Sequence, residues 1–178
     1  MYDIKDTIIY DPLTGLFKFG YRHSSTFKTK RAYRIYNTRF LGKEAFTTTD
    51  SEGYRRGKIF GKTYLAHRVA WRLCFGYWPT NYIDHINGDK ADNRIENLRE
   101  ATPRESAKNR KTRSNSKSPY KGVSWSAEHK KWRARICTDG KTTEIGLFDC
   151  DKEAARVIDK YVEGQHGEFG RPNFKEAD

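Results

Sequence analysis

The stretch Tyr82–Glu100 reads YIDHINGDKADNRIENLRE, with Asp84 and His85 side by side, Asn93 eight residues beyond the histidine and Asn97 four later. Tyr82, Ile83 and Ile86 favour a strand. Asn87-Gly88 is a strong turn pair, because both residues tolerate positive φ. Asn93 is suited to cap a helix, with Glu96 three residues on to complete a capping box. Ile95, Leu98 and Ala101 then fall on one side of that helix and Asn97 on another. The expected unit is strand, loop, short helix. Adjacent strand residues point to opposite faces, so Asp84 and His85 cannot do one identical job. One of them can bind a metal together with Asn97, leaving the other to address a substrate. Carboxylate and amide oxygens are hard ligands, suited to one divalent ion, Mg²⁺ first and Mn²⁺ as the alternative. A neutral imidazole can take a proton from water, because its unperturbed pKa of about 6.5 is near working pH.

The rest of the chain gives that site a partner. The 178 residues carry a formal net charge of +12, an excess that favours a polyanion, with nucleic acid the default candidate. Apolar residues make up 35% and charged residues 33%, so any core is small, and a 14% share of aromatics partly compensates. Cys74, Cys137 and Cys150 are scattered and odd in number, without a CxxC pair, which argues against a cysteine-rich zinc site. No apolar run approaches the ~20 residues of a membrane span, and the N-terminus lacks a secretion signal. A cytoplasmic protein, of a bacterium or a phage-infected cell, is expected. Base, metal and basic surface together imply phosphodiester hydrolysis.

Charge divides the chain unevenly. Residues 1–102 hold eighteen basic and eleven acidic side chains, residues 103–118 six and one, and residues 119–178 eleven of each. PRESAKNRKTRSNSKS, the middle segment, has almost no apolar content and reads as a basic linker. Its Arg110, Lys111 and Arg113 are candidates to track DNA phosphates. Upstream, Pro12–Gly15 signals a turn between IIY and LFKF, and Gly61 divides Lys58–Phe60 from Thr63–Leu65, so two hairpins are predicted. AHRVAWRLCFG repeats Val69, Ala70, Leu73 and Cys74 at helical spacing, opened by His67, expected to be buried and hydrogen-bonded, and ended by Gly76. No structure is predicted for Ser24–Thr49.

YDPLTGLFKF, HRVAW and DHINGDKADNRIENLR together resemble the HNH nucleases of the ββα-metal group. The likeness is greatest to the branch of phage and intron-encoded homing endonucleases in which the final histidine is an asparagine. It covers most of residues 8–110. The resemblance implies that His85 is the general base and that Asp84 and Asn97 are the metal ligands. It implies that Asn93 ties the loop and orients His85. Arg94 and Arg99 are candidate phosphate contacts.

After the linker, three strand-like runs precede a helix over Asp151–Val162. In KWRARIC, Trp132, Ala134 and Ile136 take one face and Arg133 and Arg135 the other. Ala154, Ala155, Ile158, Tyr161 and Val162 make the apolar side of the helix, with Gly164 as its stop. Lys121–Lys141 is basic and Asp149–Glu163 acidic, so phosphates should meet the sheet. YKGVSW, KWRARI, EIGLFD, EAARVID and a closing NF resemble the Apetala-type DNA-binding domain of plant ethylene-response factors. That resemblance implies a reading face of Lys121, Ser124, Arg133 and Arg135. Ser124, Cys137 and Glu144 depart from the plant pattern, so plant target sequences do not transfer.

The expected protein is α+β. A ββα-metal nuclease module (1–102) is joined by a basic linker (103–118) to a three-stranded antiparallel sheet on one helix (119–174). Its expected activity is that of a site-preferring, metal-dependent DNA endonuclease nicking duplex DNA as a monomer, a dimer being the alternative. The rivals are a DNA-binding regulator without cleavage and an RNA or structure-specific nuclease.

Overall fold

The computed structural model describes residues 3–110, 112, 116–138 and 140–174. The chain is α+β, built from small antiparallel sheets and short helices, and it divides into two compact units, Met1–Glu100 and Ala101–Asp178.

In the first unit β1 (Ile8–Tyr10) and β2 (Phe17–Phe19) form the hairpin predicted from Pro12–Gly15. The chain then leaves the sheet, makes helix α1 (Lys30–Arg39), and returns as β3 (Glu44–Ala45) against β2. A second sheet follows, with β4 (Thr48–Thr49), β5 (Arg55–Ile59) and β6 (Lys62–Leu65) in that order. The β5–β6 turn uses Phe60 (φ 50°) and Gly61 (φ 79°), the paired positive φ values that a tight hairpin needs. Helix α2 (Ala66–Phe75) ends on Gly76, whose φ of 83° is the left-handed cap predicted for it. Phe17, Phe46, Ile59, Ala66, Val69, Ala70, Ile83 and Leu98 belong to one buried core. Arg68, on α2, donates to the carbonyls of Pro79 (2.8 Å) and Asn81 (3.2 Å) and so fixes the chain where it enters β7 (Tyr82–His85).

The helix predicted from Asn93 is not formed. Residues Ile95–Asn97 make a single 3-10 turn, and Leu98–Ala101 is a strand, β8, paired with β7. The capping signals are diverted: Asn93 binds within the loop, and Glu96 pairs with Arg94 at 2.7 Å. The helix starts later, as α3 (Pro103–Lys108), with a capping box between Thr102 and Glu105. The stretch expected to open the linker is therefore helical and belongs to the second unit.

In that unit β9 (Val123–Ser126), β10 (Lys131–Thr138) and β11 (Lys141–Phe148) form an antiparallel sheet with β10 central. Helix α4 (Asp151–His166) covers its inner face through Ala154, Ala155, Ile158 and Val162, against Val123, Ala134 and Ile136. Two details differ from expectation. Tyr161 is 44% exposed rather than inward, and the helix runs through Gly164 to end at Gly167. Asp159 accepts from the backbone N–H groups of Asn173 (2.8 Å) and Phe174 (2.9 Å), while the Phe174 ring packs at a tilt against Tyr120, which closes the unit.

Candidate active site

The β7–β8 pair and its connecting loop build the site. Asp84 and His85 are both buried, at 8% and 3% exposure, yet they meet different partners. Asp84 Oδ2 accepts from Arg99 Nε (3.1 Å) and its terminal nitrogen (2.9 Å) across the strand pair. The His85 ring lies among Asn93, Tyr54 and His67: its Nε2 is 3.4 Å from Asn93 Oδ1, and its centroid is 5.8 Å from Tyr54 and 5.1 Å from His67.

Asn93 sets the chemistry of that imidazole. Its Nδ2 donates to the Ala91 carbonyl at 3.0 Å, so its oxygen is the atom facing His85. An amide oxygen only accepts, so Nε2 carries the proton and the basic lone pair is on Nδ1. Asn93 is itself 1% exposed and further fixed by Tyr10, whose hydroxyl donates to its carbonyl at 2.7 Å. The turn at Pro12–Gly15 lies against the same backbone. A Cβ on Gly15, whose φ is +71°, would stand 2.5 Å from the Arg94 nitrogen, so only glycine permits the approach. The N-terminal hairpin thus buttresses the residue that orients His85.

The loop between the strands is tied from within. The Asn87 N–H donates to Asn97 Oδ1 (2.9 Å), Asn97 Nδ2 to the Asp92 carbonyl (2.8 Å), and Asn87 Nδ2 to Asp92 Oδ2 (2.8 Å). Both ends of the Asn97 amide are spent on this loop. Arg94 is likewise engaged, with Asp92 at 2.9 Å and Glu96 at 2.7 Å. The arginines expected at phosphates are found on carboxylates of the loop and the strand pair.

A divalent ion would need hard oxygen donors here, and Asp84 is one that fits. One carboxylate, retained waters and substrate phosphate oxygens are a usual environment for Mg²⁺. The Asn97 oxygen accepts the Asn87 N–H, which takes one of its two lone pairs. Among the described residues no cluster of three or more His, Cys, Asp and Glu side chains is arranged to hold a metal.

Burial pushes the His85 imidazole below the usual histidine range, while the Asn93 hydrogen bond and the carboxylates of Asp84, Asp89 and Asp92 pull it back up. His67 is displaced further, to about 3, by burial first and then by the neighbouring His85 and Arg68. It is buried as expected, but its Nδ1 finds no hydrogen-bond partner among the described residues. The sequence does not link it or Tyr54 to His85, because the three residues are far apart along the chain and meet only in the fold.

Stability should register the buried neutral His67. Between pH 6.5 and about 3 the unfolded chain binds a proton at this residue that the folded chain does not. Stability therefore falls as pH falls through that window, on the order of 1.4 kcal/mol per unit. His67→Phe keeps a ring and removes the titration, so its acid unfolding midpoint should lie at lower pH than that of the wild type. Equal midpoints would contradict a neutral His67.

On the second unit, Arg133 and Arg135 lie on the sheet face away from α4. Arg133 pairs with Glu144 at 3.1 Å and donates to Ser126, and Arg135 donates to Ser124 at 3.4 Å. Lys121 is not on that face. Its ammonium donates to the Lys108 carbonyl, its backbone N–H donates to Asn173, and burial lowers its pKa to about 8. It lines, with Arg110 and Arg171, a cleft of about 290 Å³. Lys111 and Arg113 lie outside the described residues.

Comparison with known proteins agrees with the first unit. A family model described as HNH endonuclease matches residues 64–108. Protein 3.8 of Escherichia phage T7 is 35% identical over 115 residues, 64% of this chain and 94% of the phage protein. An uncharacterized HNH endonuclease of Acanthamoeba polyphaga mimivirus is 32% identical over 174 residues, 96% of this chain and 83% of its own length. No solved structure matches the chain.

Proposed function

This chain belongs to the HNH endonuclease family, and from that premise we propose that it hydrolyses phosphodiester bonds of duplex DNA with His85 as general base. The observation that carries the proposal is the His85–Asn93 pair, in which a fixed amide holds the proton on Nε2 and turns Nδ1 into the acceptor. His85 Nδ1 takes a proton from water, the oxygen attacks phosphorus, and the 3′ oxygen leaves. Asn93 holds the ring in its tautomer, and the Tyr54 and His67 rings keep solvent from its sides. Asp84 offers the carboxylate for a divalent ion, Mg²⁺ by the hardness of its oxygen. Such an ion, when bound, supplies Lewis-acid stabilisation of charge building on the phosphate. Arg99 holds that carboxylate in place until then.

The site has one base and one such carboxylate, which favours cutting one strand per encounter by a monomer. The second unit acts as the locator. A three-stranded sheet on one helix, with Ser124, Arg133 and Arg135 on the outer face, supports an Apetala-type reading of the major groove, and with it a homing-type, site-preferring enzyme.

Departure of the 3′ oxygen fixes the products. Incubation with duplex DNA and Mg²⁺ should give 5′-phosphate and 3′-hydroxyl ends that DNA ligase reseals, and EDTA should stop the reaction. Ends carrying a 3′-phosphate, or cleavage at full rate in EDTA, would rule the mechanism out.

A further inference from the structure

Helix α1 is an excursion between two paired strands, and its charge is one-sided. From Asp11 to Glu44 the chain holds eight lysines and arginines and, between those two residues, no aspartate or glutamate. Within the helix, Ala32, Tyr33, Tyr36 and Asn37 are buried or half-buried, while Lys30, Arg31, Arg34, Ile35, Thr38 and Arg39 are exposed. At 100° per residue those six cover one continuous half of the cylinder, and four of them are cations. The inner half is well anchored. The Tyr36 hydroxyl donates to the Gly20 carbonyl at 2.8 Å, its ring meets Phe27 and Phe40, and Arg22 lies 4.3 Å over Phe27. The outer half is arranged against its own stability. Lys30 and Arg31 stand at the positive end of the helix dipole with no acid in the first turn, and Lys30 and Arg34 repeat like charge at i, i+4. Each such placement is unfavourable in a free helix. An external polyanion removes that cost.

We infer that the outer face of α1 is a second DNA contact of the nuclease unit, gripping the phosphate backbone of duplex DNA through Lys30, Arg31, Arg34 and Arg39. The inference rests on duplex DNA being the substrate and adds a contact outside the active site. The helix is about 15 Å long, enough to span several phosphates at roughly 3.4 Å per step along one strand. Its exposed side chains are cations with few hydrogen-bond acceptors, so the contact positions the duplex without reading bases.

The test compares three full-length proteins binding a labelled duplex in EDTA across a salt series: wild type, Lys30→Gln/Arg31→Gln/Arg34→Gln, and a control, Lys152→Gln/Arg156→Gln/Lys160→Gln, which removes the same charge from α4. The α1 variant should lose about 0.9 per lost phosphate contact from the slope of log affinity against log salt. For three contacts, the fall in affinity between 50 and 200 mM salt shrinks about 40-fold. The control should keep the wild-type slope. The α1 variant should also melt no lower than wild type, since the removed charges oppose the helix. Equal slopes for the two variants would overturn the inference and leave the proposed function standing. A wild type without salt-dependent duplex binding would overturn both.

Discussion

Asp84→Ala should cut metal-dependent cleavage on the order of 10³-fold, because a Lewis-acid contact to the transferring phosphate is worth several kcal/mol. The substitution has a second consequence. Asp84 and Arg99 form an ion pair in which both side chains are nearly buried, at 9% and 13% exposure. Removing one partner of such a pair leaves a buried charge uncompensated and costs about 3–5 kcal/mol. Lost activity in Asp84→Ala alone could therefore report a lost fold. Asp84→Asn combined with Arg99→Gln removes both charges together and keeps a hydrogen-bonding side chain at each position, so it should melt closer to wild type than Asp84→Ala. It should be just as inactive in Mg²⁺. Cleavage at the wild-type rate by the folded double variant would move metal binding away from Asp84.

His85→Ala should lower cleavage on the order of 10²–10⁴-fold, the usual contribution of a positioned base. DNA affinity should stay within about twofold, because a base acts in the transition state and not in the ground-state complex. The geometry sharpens this expectation. With Nε2 oriented by the Asn93 oxygen, Nδ1 carries the lone pair that takes the proton. Single-turnover rates beside binding isotherms separate the two effects. A variant that binds poorly and cuts normally once bound would make His85 a binding residue.

Much of this was legible in the sequence, for local reasons. Pro12–Gly15, Gly61 and Gly76 dictate backbone geometry on their own, so the hairpins and the end of α2 follow from single residues. The alternation in KWRARIC survives in β10 because one face meets α4 and the other meets solvent. What failed depended on partners distant in sequence. ENLRE carries helical spacing and a capping pattern, but β7 offers Leu98–Ala101 a strand partner, and pairing outweighed propensity. That one change puts Arg99 opposite Asp84 and brings Asn97 to the Asn87 N–H. Helix α1 was illegible for another reason: it fully buries only Tyr36, leaving no apolar stripe to detect. Its aromatic anchors, Phe19, Phe27 and Phe40, lie outside it.

One histidine-based site in this chain should cut duplex DNA strand by strand. A time course of supercoiled plasmid with Mg²⁺, wild type beside His85→Ala at equal bound enzyme, tests it most directly. Wild type should produce open circles well before linear molecules, while His85→Ala retards the plasmid in a gel and leaves it supercoiled over the same period. Open circles formed by His85→Ala at the wild-type rate would contradict the account.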